Sequence, residues 1–110
     1  MEKIFSLFIQ HIRKNRFYEA HETVEEYWHT IRKSDHPEKE VIRGFINAAV
    51  SFELLKRGKK DGFKKVWKNY LKHCGNLDKS LPNYKVFADI KREVEEEKRR
   101  IEKIFDSHSC

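Results

Sequence analysis

Glycine occurs four times and proline twice in 110 residues, too rarely for a loop-rich sandwich, a flexible linker or a low-complexity segment. Cysteine occurs twice, once as the final residue Cys110. No disulfide framework is expected from that number, and a reducing cytoplasm is the expected compartment. No apolar run approaches the roughly 20 residues of a membrane-spanning helix. The opening Met1-Glu2-Lys3-Ile4-Phe5 lacks the basic and apolar regions of a secretory signal. The length admits one hydrophobic core, so residues 1–110 are expected to form a single domain, frayed over about 106–110.

What the chain does have is charge and helical periodicity. It carries 24 Lys+Arg against 18 Asp+Glu, a formal net charge of +6. Apolar residues recur at helical rather than alternating spacing throughout. Ile4, Phe5, Phe8 and Ile12 mark a first helix ending near Asn15. Phe17, Ala20, His21, Val24, Trp28 and Ile31 mark a second, running to about Lys33 and followed by the turn Ser34-Asp35-His36-Pro37. A third, Glu38 to Arg57, is apolar nearly all round and should lie at the centre. Gly58 stops it. Phe63, Val66, Trp67, Tyr70, Leu71 and Cys74 give a fourth helix its apolar face, closed by Gly75-Asn76. From about Tyr84 a last helix sets Phe87, Ile90, Val94, Ile101 and Ile104 on one side. The expected fold is an all-α bundle of five helices.

An internal echo runs through the chain. Ala20, Val24 and Trp28 recur as Gly62, Val66 and Tyr70, an offset of 42 residues reminiscent of tetratricopeptide-like helix hairpins. By that offset His21 corresponds to Phe63, which assigns His21 a core-facing slot.

The polar flank of the second helix carries the candidate chemistry. Tyr18, His21, Glu22, Glu25 and His29 share it, with His21/Glu25, Tyr18/Glu22 and Glu25/His29 spaced i,i+4. A carboxylate bonded to an imidazole fixes its tautomer and raises its basicity, as in a general base or a supported metal ligand. His21 and Glu25 point the same way and are candidate ligands to one metal ion. Glu26-x-x-His29 is half of a di-iron carboxylate pattern, but it occurs once where two copies are required. The plainer reading makes His21/Glu25 a packing pair against the third helix, where Gly44, Asn47 and Ser51 supply a small polar strip.

Glu19-Ala20-His21-Glu22-x-x-Glu25-x-x-Trp28, followed by Ile42-Arg43-Gly44-Phe45-Ile46-Asn47-x-Ala49, resembles the domain of unknown function 309 family, small helical proteins of bacteria and archaea. The likeness covers about residues 12 to 90. It implies a compact all-α fold with a polar cluster around His21, Glu22 and Glu25, and no established activity. The chain departs from the family pattern at Asn47, where glutamine is usual, and at Leu54, where histidine is common.

The net charge is concentrated. Residues 56–72 hold eight Lys+Arg against Asp61 alone, while the chain on either side is close to neutral. Lys64, Lys65, Lys68 and Lys72 share the face opposite Phe63 and Trp67, a ridge able to attract phosphate. No aromatic residue is interleaved on that ridge for base stacking, since Trp67 and Tyr70 are expected to point inward. His73 and Cys74 are adjacent and diverge by about 100° on a helix, so they do not chelate one ion.

These readings converge on a non-catalytic module that binds a partner protein or a small ligand, with Tyr18, Trp28, His29 and Asn47 as contact or supporting residues. Two alternatives stand beside it. One is a metal-binding protein or acid/base enzyme using His21, Glu22 and Glu25. The other is RNA binding through the lysine ridge. No cofactor motif is present, no membrane association is expected, and the apolar stripe of the last helix is a candidate homodimer seam.

Overall fold

The computed structural model describes residues 2–105, and the expected fraying at 106–110 falls outside them. Five helices follow in order, α1 (Glu2–Arg13), α2 (Phe17–Ile31), α3 (Lys39–Lys56), α4 (Lys60–Cys74) and α5 (Tyr84–Phe105). The expected number, order and type all hold, with ends shifted by one to three residues. α1 stops because Asn15 enters the left-handed region at φ 60°, which asparagine tolerates better than most residues. α3 stops at Gly58, where φ is 79° and only glycine escapes the Cβ penalty.

α3 is the central helix, packing against α2, α4 and α5, while α1 bridges α2 and α5. Its all-round apolar sequence is the cause. Val41, Ile42, Phe45, Ala48, Ala49, Phe52 and Leu55 are all buried, so each neighbour finds an apolar surface to cover. The centre of the core is aromatic. Phe45 meets Phe5, Phe8, Phe87 and Tyr70 at ring-centroid distances of 5.8 to 6.4 Å, within the favourable range for tilted and edge-on pairs. A second knot joins Phe17 to Phe52 and Phe105.

Two expectations about packing change. Gly44 does not open a strip towards α2. It lies under α4, where an added Cβ would stand 3.1 Å from the His73 Cβ and 3.6 Å from the Tyr70 carbonyl and the Cys74 nitrogen. Asn47 and Ser51 bond carbonyls of their own helix, those of Arg43 and Ala48, and neither is bonded to the α2 flank. The reason is geometric: a central helix has apolar neighbours on both sides, and a small residue permits close approach to either.

The apolar stripe of α5 is likewise used within the chain. Phe87, Ile90, Val94 and Ile101 are buried in the core, leaving only Ile104 of that stripe exposed. A homodimer seam along α5 would need those side chains on the outside.

One feature was not legible in advance. Glu38, immediately before α3, is 1% exposed. Its carboxylate accepts hydrogen bonds from the Asn83 backbone N–H at 2.7 Å and the Asn83 Nδ2 at 2.9 Å. Asn83 directly precedes α5, so the carboxylate caps that helix from a distance, where the helix dipole favours negative charge.

Candidate functional site

The α2 flank is a built arrangement, but an open one. Ala20 and Val24 are fully buried against the core and fix the rotation of α2. Rotation by one residue from Ala20 brings His21 to the edge of the packed face. His21 side-chain exposure is 25% and that of Glu25 is 34%. The core-facing slot inferred from Phe63 is therefore corrected, because His21 sits on the rim while Phe63 is buried. Phe63 is roofed by α5, whose Lys98 ammonium lies 5.8 Å from its ring centroid. The groups set around His21 come instead from α2 and α3, with Tyr18 and Glu25 on its own helix and Val50 and Leu54 across from it.

Glu25 is the hub. His21 Nε2 meets Oε2 of Glu25, and His29 Nε2 lies 3.2 Å from Oε1. One carboxylate thus holds two imidazoles, one a turn before it and one a turn after. An ionised carboxylate only accepts hydrogen bonds, so both rings must carry their proton on Nε2. In the neutral form each ring then keeps Nδ1 as an acceptor. Tyr18 stands beside His21 with ring centroids 6.1 Å apart.

These groups line a hollow of about 420 Å³ bounded by Tyr18, His21, Glu22, Glu25, Glu26 and His29. A second hollow of about 200 Å³ adjoins it between α2 and α3. Tyr18 and His21 line both, and Phe17, Val50 and Leu54 make the second one apolar. The site is therefore acidic on one side and greasy on the other, with the His21 ring at the boundary. Glu22 and Glu26 make no ion pair among the described residues. Leu54 faces the same hollow as His21, so the α3 position at which the family resemblance marks a departure does adjoin the α2 flank.

Other expected members lie elsewhere. Asn47 bonds within α3. Trp28 packs against the edge of the core, with the Arg43 guanidinium 5.9 Å from its ring centroid, and its Nε1 is buried without a hydrogen-bond partner among the described residues. It supports the helix rather than lining the hollow. Glu26 was missed as a lining residue although it lies i,i+4 from Glu22, the spacing that found the others. As for metal, no group of three or more His, Cys, Asp or Glu among the described residues is arranged to hold an ion. His21 Nε2 and Glu25 Oε2 face each other directly, so an ion held by both would have to displace the proton between them.

The lysine ridge is real. Lys64, Lys65, Lys68 and Lys72 are all exposed along α4 and form no ion pair among the described residues. Elsewhere in the basic segment, Lys56 Nζ donates to the Asn15 carbonyl at 3.2 Å, and Arg57 pairs with Glu53 at 2.7 Å. Tyr70 points inward as expected. Its phenol is pushed well above the ordinary tyrosine range by burial, with Cys74 and Glu95 adding to the shift. Burial also raises the Cys74 thiol, although its bond to Tyr70 acts in the opposite sense. Trp67 is half-buried, with an edge reaching the space between α4 and α5. His73, read only as a neighbour of Cys74, is used in packing: its Nδ1 lies 3.0 Å from Glu40 of α3.

No helix among the described residues is long and apolar enough to cross a membrane. No curated protein and no solved structure matches the chain. Residues 5–66, which run from α1 into the first half of α4 and include the whole α2 flank, match a family model described as "Domain of unknown function (DUF309)", and the chain belongs to that family.

Proposed function

We propose that the protein is a binding module whose α2 flank takes a small amphipathic cation, an amine or ammonium compound with a short apolar tail. The observation carrying this reading is the adjacency of the acidic hollow and the apolar one, joined at Tyr18 and His21. Glu22 and Glu26 supply negative charge on a protein whose overall balance is positive, and Val50 and Leu54, backed by the buried Phe17, supply a surface for the tail. Glu25 holds both imidazoles, so the polar wall is pre-ordered before a ligand arrives, which lowers the entropic cost of binding. The hollow opens to water on one side, which suits reversible binding better than chemistry requiring a dry site.

A second reading rests on the same pair. An imidazole anchored through Nε2 by a carboxylate is oriented to act as a base through Nδ1. His21 with Glu25 as its positioning partner, and Glu22 as a second carboxylate, would then act on the bound amine.

The test is a titration of the full-length protein with n-alkylammonium ions from ethyl to hexyl, followed by amide chemical shifts. Each methylene that enters the apolar hollow contributes about 0.8 kcal/mol, so Kd falls about fourfold per carbon until the hollow is filled. Shift changes centre on Tyr18, His21 and Glu22, and Leu54→Asp removes the dependence on chain length. Equal binding of alkylcarboxylates, or an affinity independent of tail length, would overturn the reading.

A further inference from the structure

A second binding surface lies on another side of the molecule. α4 and α5 both pack on α3, but their backbones stay apart and they meet through side chains, Lys98 over Phe63 and Trp67 and Glu95 at the Tyr70 hydroxyl. Between them runs an open groove made of two adjoining hollows of about 580 and 450 Å³. Its floor is apolar, built from Trp67, Leu71, Cys74 and Leu77. Leu71 is 51% exposed, an unusual position for a leucine amid so much charge.

The rims are cationic. Lys91, Arg92, Lys98 and Arg99 line the α5 side; Arg92 is paired with Asp89 at 3.1 Å and Lys98 with Glu102 at 2.9 Å, so the uncompensated charge of that rim is Arg99. On α4, Lys64 and Lys68 lie seven and three residues before Leu71, hence on the same surface strip of the helix. The groove's carboxylates only partly offset them. Glu95 is held by Lys91 at 2.9 Å and accepts the Tyr70 hydroxyl at 3.5 Å, which leaves Glu96. Arg99, Lys64 and Lys68 form no ion pair among the described residues.

We propose that the α4/α5 groove docks an acidic amphipathic helix of a partner protein. The apolar floor calls for apolar side chains, and the cationic rims complement carboxylates flanking them. The α5 residues lining the groove run from Tyr84 to Arg99, about 22 Å at 1.5 Å per residue, the length of a four-turn helix. A nucleic-acid strand fits less well. The Lys98 ammonium sits 5.1 Å from the Trp67 ring centroid, over the face on which a base would stack, and a phosphate chain would leave the apolar floor uncovered. The residues lining the groove fall within 67–99, beyond the 5–66 segment matched by the family model, with Lys64 of the rim just inside it, and none of them belongs to the α2 flank.

The test uses the full-length protein and a fluorescein-labelled 18-residue peptide with leucines at i, i+3, i+4 and i+7 spacing and glutamates on the remaining face. Two controls are a scrambled peptide of the same composition and a 15-nucleotide single-stranded RNA. The amphipathic peptide is expected to bind at micromolar Kd and at least tenfold more tightly than either control. Leu71→Asp, at an exposed position that should leave the melting temperature within a few degrees, weakens it at least tenfold. Arg99→Glu weakens it several-fold and reduces its salt dependence, while Glu22→Gln on the α2 flank leaves it unchanged. No binding, equal binding of the scrambled peptide, tighter binding of the RNA, or full affinity in a folded Leu71→Asp protein would each overturn the proposal.

Discussion

Glu38→Ala should be among the most damaging single substitutions outside the aromatic core. The carboxylate is 1% exposed and its two oxygens accept separate hydrogen bonds from Asn83, one from the backbone and one from the side chain. Removing it leaves two donors unpaired at a part-buried helix start. A hydrogen bond to a charged group contributes about 1.5–3 kcal/mol, and the truncation also leaves a small void. Part of that total is recovered because water can reach the Asn83 end, so the expected loss is about 3 kcal/mol. For a chain of this size that corresponds to a fall in Tm of roughly 12 °C. Glu38→Gln keeps one acceptor but turns an amide N–H₂ towards the second donor, so about half the loss is expected. Thermal melts by circular dichroism at pH 7 give the totals. A double-mutant cycle with Asn83→Ala isolates the pair, with an expected coupling of about 1.5–2 kcal/mol. A Glu38→Ala protein melting within 2 °C of the parent, or a coupling near zero, would refute the claim that this contact fastens α5 to the start of α3.

The close approach of α3 and α4 gives a second prediction: Gly44→Val drives branched carbons into the α4 backbone and costs about 2–3 kcal/mol in denaturant melts, whereas Gly62→Ala meets only the flexible end of Leu54 at 3.3 Å and is neutral or slightly stabilising. The third concerns alkali. Tyr70 and Cys74 both titrate higher in the folded chain than in the unfolded one, so their contribution is complete below the ordinary thiol range and declines as pH rises, because the unfolded chain loses these protons first. Melting temperatures should fall from pH 8 to pH 10.5, and less steeply in Tyr70→Phe. In a Cys110→Ser background the native Cys74 thiol should resist iodoacetamide at pH 8 and react on unfolding, and equal rates in the two states would contradict its burial.

Helix number and order were legible because the apolar period persists through every segment, and the centrality of α3 followed from its lack of a polar face. What the pattern could not give was the choice among partners. Gly44 announces a close approach without saying whether α2 or α4 makes it. The α5 stripe announces a buried face without saying that α1 and α3 of the same chain bury it. His21 shows the same limit at the candidate site. Its angle on α2 matches that of Phe63 on α4, but Phe63 is roofed by α5 while His21 is edged by groups of α2 and α3, and no property of α2 alone records that difference. The Glu25 contacts were legible because i,i+4 pairing is local to one helix. Glu38 was not, because its partner lies 45 residues away and a carboxylate ahead of a helix ordinarily faces water. The apolar hollow at Phe17, Val50 and Leu54 required α2 and α3 to be set side by side.

The account of the α2 flank stands on Glu25 clamping two imidazoles through Nε2, and long-range ¹H–¹⁵N correlation spectra of the histidine rings read that directly. At a pH where both rings are neutral, His21 and His29 should each appear as the Nε2–H tautomer, and Glu25→Gln should shift both rings together. Spectra showing the Nδ1–H tautomer at His21, or two rings indifferent to the loss of the Glu25 charge, would contradict it.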